Sequence, residues 1–268
     1  MRAIGWIALN AFRESVRDKV LYNLVLFAVL MIGASYLIGQ LTAGQDIKII
    51  KDVGLSAIAV FGLFIAVFVG INLVSKEVER KSIYALLSKP VERYQLVLGK
   101  YAGVILTLAV NVTVMVVAFY AVLAYMRWMA TPSVLAALDG PALDPRMLKA
   151  VVLLFAELAV VTAAALFFSS FSTPMLSATF TVALYIAGHF SADLKHFDQV
   201  VDSRAVMWLA NGLYWILPNL ASFDVKAQVV HAQPVARTYV ALTLAYGAAY
   251  IAVLLSGAVL IFSRRDFK

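Results

Sequence analysis

Three groups of residues in this chain have types and spacings that bear on chemistry. His189, Asp193 and His196 are spaced by four and three residues, which places them on one face if a helix runs through them. Two imidazoles and a carboxylate in that register form a candidate metal-ligand set. Interfacial histidines beside a carboxylate are also common without metal, so no bound metal is the leading expectation. Glu157 is the one acid inside a long apolar run, where an ionisable group is costly and marks a candidate proton or substrate path. The alternative is a carboxyl that bonds within the bundle or reaches outer water beside Lys149 or Arg146. Asn72 and Asn111 are further polar groups in apolar runs and join Glu157 as candidate pathway residues. The third group is a charged island between two apolar stretches, Lys76-Glu-Val-Glu-Arg-Lys-Ser-Ile-Tyr-Ala-Leu-Leu-Ser-Lys-Pro-Val-Glu-Arg-Tyr-Gln-Leu-Val-Leu-Gly-Lys100.

None of these groups is a paired catalytic set. The chain has no His-Glu-x-x-His and no serine in a nucleophile turn, and Glu157 has no acid–base partner evident in sequence. A membrane-embedded enzyme is therefore the least supported class. A phosphate-binding loop needs an upstream glycine and a Gly-Lys-Ser/Thr ending. The only Gly-Lys pair, Gly99-Lys100, lacks that glycine and is followed by Tyr101, so any nucleotide is bound elsewhere.

Composition sets what must position these residues. Of 268 residues 63% are hydrophobic and 14% charged, with a mean hydropathy of +0.90, more apolar surface than one soluble domain buries. The chain reads as an all-α integral membrane protein. With no cysteine, disulfides and thiolate metal sites are excluded. The net charge of +7 suits a basic membrane-facing side; nucleic-acid binding would need a basic soluble module for which there is no room. Spanning a bilayer takes about 20 helical residues, and six stretches approach that length, at about 20–41, 53–74, 101–126, 150–170, 175–190 and 239–262. The motif Ser169-Ser-Phe-Ser-Thr-Pro174 splits an uncharged run too long for one span, so the fourth and fifth spans form a tight hairpin.

Orientation follows from the bases. With the N-terminus cytoplasmic, thirteen of the 22 lysines and arginines lie on that side, in 1–19, the segment 75–100 and the tail. The opposite segments carry eight acids against nine bases, so the positive-inside rule places both termini in the cytoplasm of an inner-membrane, multi-pass protein. Residues 1–19 read as an interfacial helix with Trp6 as a headgroup anchor, and 20–268 as the transmembrane domain. On the second span, Gly54, Gly62, Ala66 and Gly70 recur at multiples of four, which suits close helix packing within one subunit or a seam between subunits. The outer segment 191–237, with Trp208, Tyr214 and Trp215, reads as interfacial or re-entrant and open to cargo or an extracytoplasmic partner.

The island reads as a helix stopped by Ser88-Lys89-Pro90 and restarted after Val91. Ile83, Leu86 and Leu87 share a side opposite Glu79 and Arg80, and each apolar chain left wet forgoes roughly 1.5 to 3 kcal/mol of burial. Lipid, the chain's own helix ends, or a docked soluble partner would cover that side. The island resembles the segment between the second and third spans of permeases in the ABC transporter type-2 family, in particular the branch containing the membrane subunit of the nitrous oxide reductase copper-maturation complex. The likeness extends to Leu217-Pro-Asn-Leu-Ala-Ser-Phe-Asp224 and the tail Ser263-Arg-Arg-Asp-Phe-Lys268.

That resemblance implies a six-span, type V exporter-like permease that pairs with a second copy or a close paralogue. It also implies that the island is the coupling helix held by a separate cytoplasmic ATPase. Glu77, Glu79, Arg80 and Lys81 would then make the polar contacts and Ile83, Leu86 and Leu87 the buried ones. ATP and magnesium belong to that partner, and this chain binds no cofactor. Two outcomes fit the family: ATP-driven export, or force transmission to an extracytoplasmic protein without solute transport.

Overall fold

The computed structural model describes residues 2–40, 46–79, 92–130, 141–191, 212, 214 and 216–264, and these are helical with no strand among them. Helix α1 (Arg2–Val16) is amphipathic: Ala11 and Ser15 are buried while Asn10, Arg13 and Glu14 face out. It ends before Asp18, whose carboxylate accepts the Val20 N–H at 3.0 Å and so caps helix α2 (Lys19–Gln40). Helix α3 (Asp46–Glu79) has 34 residues, about 51 Å of rise against a hydrocarbon core of about 30 Å. Its apolar part closes at Asn72, and the helix continues through Lys76, Glu77 and Glu79.

Helix α4 (Arg93–Met129) runs 37 residues, α5 (Met147–Ser169) 23 and α6 (Pro174–His189) 16. Pro174 opens α6 at a position where its missing N–H leaves no bond unmade. A 3-10 turn at Leu220–Phe223 and the short α7 (Lys226–Val230) precede the last helix, α8 (Arg237–Arg264). Among the described residues five helices, α2, α3, α4, α5 and α8, are long and apolar enough to cross a membrane. The 16 residues of α6 rise about 24 Å, short of a full crossing when taken alone.

α5 is the centre of the bundle. It is apolar all round, and 67% of its spanning window is buried, against 17% for α8, which faces outward. α3 packs on α5 along the stripe of small residues. A Cβ at Gly54 would collide with the Phe119 ring of α4, one at Gly62 would lie 2.5 Å from Leu158 Cδ1, and one at Gly70 would lie 3.1 Å from Ala165 Cβ. Ala66 is fully buried in the same row. The stripe is thus filled by helices of the same subunit, which decides between the two packings that its spacing allows.

α1 lies across the start of α4 in the same manner. A Cβ at Gly103 would sit 2.6 Å from Ala11 Cβ and 2.7 Å from the Ala8 carbonyl oxygen, so only glycine lets the helices approach this closely. Gly103→Val should therefore lift α1 from α4 and cost about 1–3 kcal/mol. The expected result is a lower unfolding temperature in detergent together with faster tryptic cleavage at Arg13 and Arg17; unchanged cleavage would show that α1 does not depend on this contact.

Candidate functional site

The hairpin of α5 and α6 brings Glu157 and His189 together. The Glu157 carboxyl, 7% exposed, lies with Oε1 3.3 Å from Nε2 of His189, whose side chain is 26% exposed. The approach lacks hydrogen-bond alignment, and Oε1 is buried without another partner. On its other side His189 Nδ1 stands 3.1 Å from the Tyr185 carbonyl one turn back, and the Tyr185 ring packs on the imidazole with centroids 4.5 Å apart. If Nδ1–H donates to that carbonyl, Nε2 is the ring nitrogen turned toward Oε1. The Asp224–Lys226 pair, 3.3 Å apart, lies within electrostatic reach of Glu157.

The basic residues that the sequence places near Glu157 are engaged elsewhere. Lys149 Nζ donates to the Val235 carbonyl at 2.6 Å, and Arg146 Nη1 donates to the Ala232 carbonyl at 3.2 Å. Both occupy the start of α5 and reach along the loop that precedes α8. Glu157 sits two to three turns deeper and meets α6, so its neighbour is His189. Of the candidate metal trio only His189 is described, since Asp193 and His196 lie outside the described residues. Among the described residues no three His, Asp or Glu side chains gather as metal ligands would.

The intramembrane polar groups bond mainly within the bundle. Buried Asn111 donates its amide to the Thr107 carbonyl at 2.6 Å, and Thr162 and Thr181 bond the carbonyls of Leu158 and Ser177. Ser177 pairs with Ser172 at 2.7 Å across the α5–α6 turn. Such back-bonding satisfies hydroxyls where no water is present. Asn72 is half-buried on α3, about 15 Å along the helix from Gly62, the residue level with Leu158. Glu157, Asn111 and Asn72 lie on three different helices, α5, α4 and α3.

Of the coupling residues, Glu77 and Glu79 belong to the last turns of α3. Arg80, Lys81, Ile83, Leu86 and Leu87 lie outside the described residues. The chain resumes at Glu92, and the first residue of α4, Arg93, reaches across the bundle. Its Nη1 donates to the Phe262 carbonyl at 3.1 Å and the Ser263 carbonyl at 2.7 Å, in the last turn of α8. Carbonyls there have no partner within the helix and carry its negative dipole end, which a guanidinium complements.

At the opposite end of α8 three tyrosines hold the preceding segment. Tyr239 donates to the Ser222 carbonyl at 2.6 Å, Tyr246 accepts the Asn219 N–H at 2.8 Å, and Tyr250 donates to the Ile216 carbonyl at 3.0 Å. Sequence reading missed Arg93 and these tyrosines as connectors. The spacing of seven and four in Tyr239, Tyr246 and Tyr250 is legible as a one-face stripe, but the backbone groups that they bind carry no signature in sequence.

Residues 5–267 match the family described as "ABC-2 family transporter protein". No curated protein matches the chain.

The Glu157–His189 contact should be measurable as an energetic coupling. In a double-mutant cycle of Glu157→Gln and His189→Gln, unfolded in mixed detergent micelles, the expected coupling is about 0.5–3 kcal/mol. A coupling near zero would reduce the pair to mere proximity.

Proposed function

The chain belongs to the ABC-2 family of transporter proteins, and we propose that it is the permease subunit of an ATP-driven exporter whose energy comes from a separate cytoplasmic ATPase. Membership makes it a membrane protein and an ABC permease, in a family whose membrane components are generally non-catalytic and associate with cytoplasmic ABC ATPases. The enzyme reading accordingly falls away.

The observation that carries the coupling reading is the course of α3. The helix continues seven residues past its apolar part, to Glu79, and α4 restarts at Arg93, so the charged island is joined on both sides to central helices of the bundle. A push on the island is therefore applied directly to α3 and α4. On this reading Glu77, Glu79, Arg80 and Lys81 set the polar register of docking, Ile83, Leu86 and Leu87 enter the ATPase cleft, and ATP and magnesium are bound by the partner. Both termini face the cytoplasm of the inner membrane, and a second permease copy or close paralogue completes the transporter. Glu157, beside His189, is the pathway group with access toward the outer side.

A second reading has its own support: the unit transmits force to an extracytoplasmic protein and carries no solute. The pathway candidate Asn111 and the buried Thr162 bond within their own helices, and the segment at 216–222 is tied to α8 at three points. Reconstituted, ATP-dependent movement of a solute distinguishes export from force transmission.

Mild-detergent purification from native membranes should recover an ABC ATPase with this chain. Leu86→Asp, or Glu79→Lys combined with Arg80→Glu, should lower that recovery at least about tenfold, the equivalent of about 1.4 kcal/mol, while membrane insertion is unchanged. An ATPase that never co-purifies, or one retained in full by these variants, would remove docking at the island from the mechanism.

A further inference from the structure

α8 has polar grips toward both ends on elements outside itself. At the basic end Arg93, within the charged island and at the start of α4, binds the Phe262 and Ser263 carbonyls. Toward the opposite end Tyr239, Tyr246 and Tyr250 bind the Ser222 carbonyl, the Asn219 N–H and the Ile216 carbonyl. The loop before α8 is in turn pinned to α5, through Lys149 on Val235 and Arg146 on Ala232.

These grips have the geometry of a lever. With the pinned loop at 232–235 as the pivot, the Arg93 clamp lies about 40 Å along α8 and Tyr250 about 21 Å, from 1.5 Å of rise per residue. A displacement of the clamp thus reaches Tyr250 at about half its size. Beneath the tethered segment lies a cleft of about 480 Å³ lined by Tyr214, Leu217, Leu242 and Thr243 together with the tethering side chains. The segment is bonded across it by the three tyrosine hydroxyls, while Leu220 and Phe223 of the same segment are fully buried. α8 is the least buried of the spanning helices, and it meets α5 along one face, where Gly257 lies against Phe167 and Ala258 is buried.

We propose that Arg93 is a positioning residue that couples the charged island to the opposite membrane face, with α8 as the arm and the three tyrosines as its far attachments. The inference rests on the proposed function, because the ATPase supplies the displacement. It assigns that displacement a physical route that holds whether the outcome is export or force transmission. Lysine at position 93 keeps the charge and one donor, and is expected to preserve the clamp in part.

The test uses the full permease recombined with its co-purifying ATPase. The chain contains no cysteine, so Ile216→Cys and Trp128→Cys create the only two thiols available for spin labels. Both side chains are exposed, at 74% and 82%. Trapping the ATPase with ATP and vanadate should change the 128–216 distance by about half of the displacement at the clamp, from the ratio of the lever lengths. Arg93→Ala should abolish that change while ATP hydrolysis persists, and the triple Tyr239→Phe, Tyr246→Phe, Tyr250→Phe variant should do the same. Arg93→Lys should retain at least about half of it.

An undiminished change in Arg93→Ala, with ATPase bound and hydrolysing, overturns the inference and leaves the proposed function standing. No change in the parent protein on trapping overturns the inference as well. Failure of any ATPase to bind overturns the proposed function, and this inference with it.

Discussion

A bilayer core offers no water to complete hydrogen bonds, and the arrangement of this protein follows from that constraint. Backbone groups there are satisfied within helices, which accounts for the helical course of the described residues. Side-chain hydroxyls follow the same rule: Thr107, Thr162 and Thr181 each bond the carbonyl four residues back. With polar groups satisfied locally, helices associate by shape. Gly54, Gly62 and Gly70 let α3 sink against Phe119, Leu158 and Ala165, and Gly103 admits α1 to α4. Packing of this kind makes α5 the buried axis around which the other helices are arranged.

Against that background, the places where polar groups reach between elements are few and informative. Glu157 meets His189 across the α5–α6 hairpin, where a buried carboxyl oxygen has no other partner. Arg93 meets the end of α8, and three tyrosines meet the segment before it. Arg93 joins helix ends 169 residues apart in sequence. That clamp lies in the last turn of α8 and Tyr239 in its first, whereas Glu157 lies near the middle of α5.

An ABC-2 permease must link its cytoplasmic side to its outer side without loosening the core between them. Long unbroken helices meet that need. α3 and α4 extend beyond the bilayer thickness and flank the charged island, and α8 spans its 28 residues as a single rod. α3 continues past its apolar part to Glu79, and α4 begins at Arg93.

How much of this was legible in the sequence depended on the range of the interaction. Membrane residence and the all-helical class followed from composition and from the length of the apolar runs, because transfer into lipid is a sum over neighbouring residues. The charged island and its Ser88-Lys89-Pro90 stop were equally plain, as was the small-residue row on α3, though not which helices would fill it. Tertiary structure alone decided that the row packs inside the subunit, that Glu157 faces His189 in place of Lys149 or Arg146, and that Arg93 holds a helix end 169 residues away. The reason is physical: hydropathy is local and carried by side chains, whereas these contacts depend on which helices become neighbours, and several end on backbone carbonyls that every residue possesses.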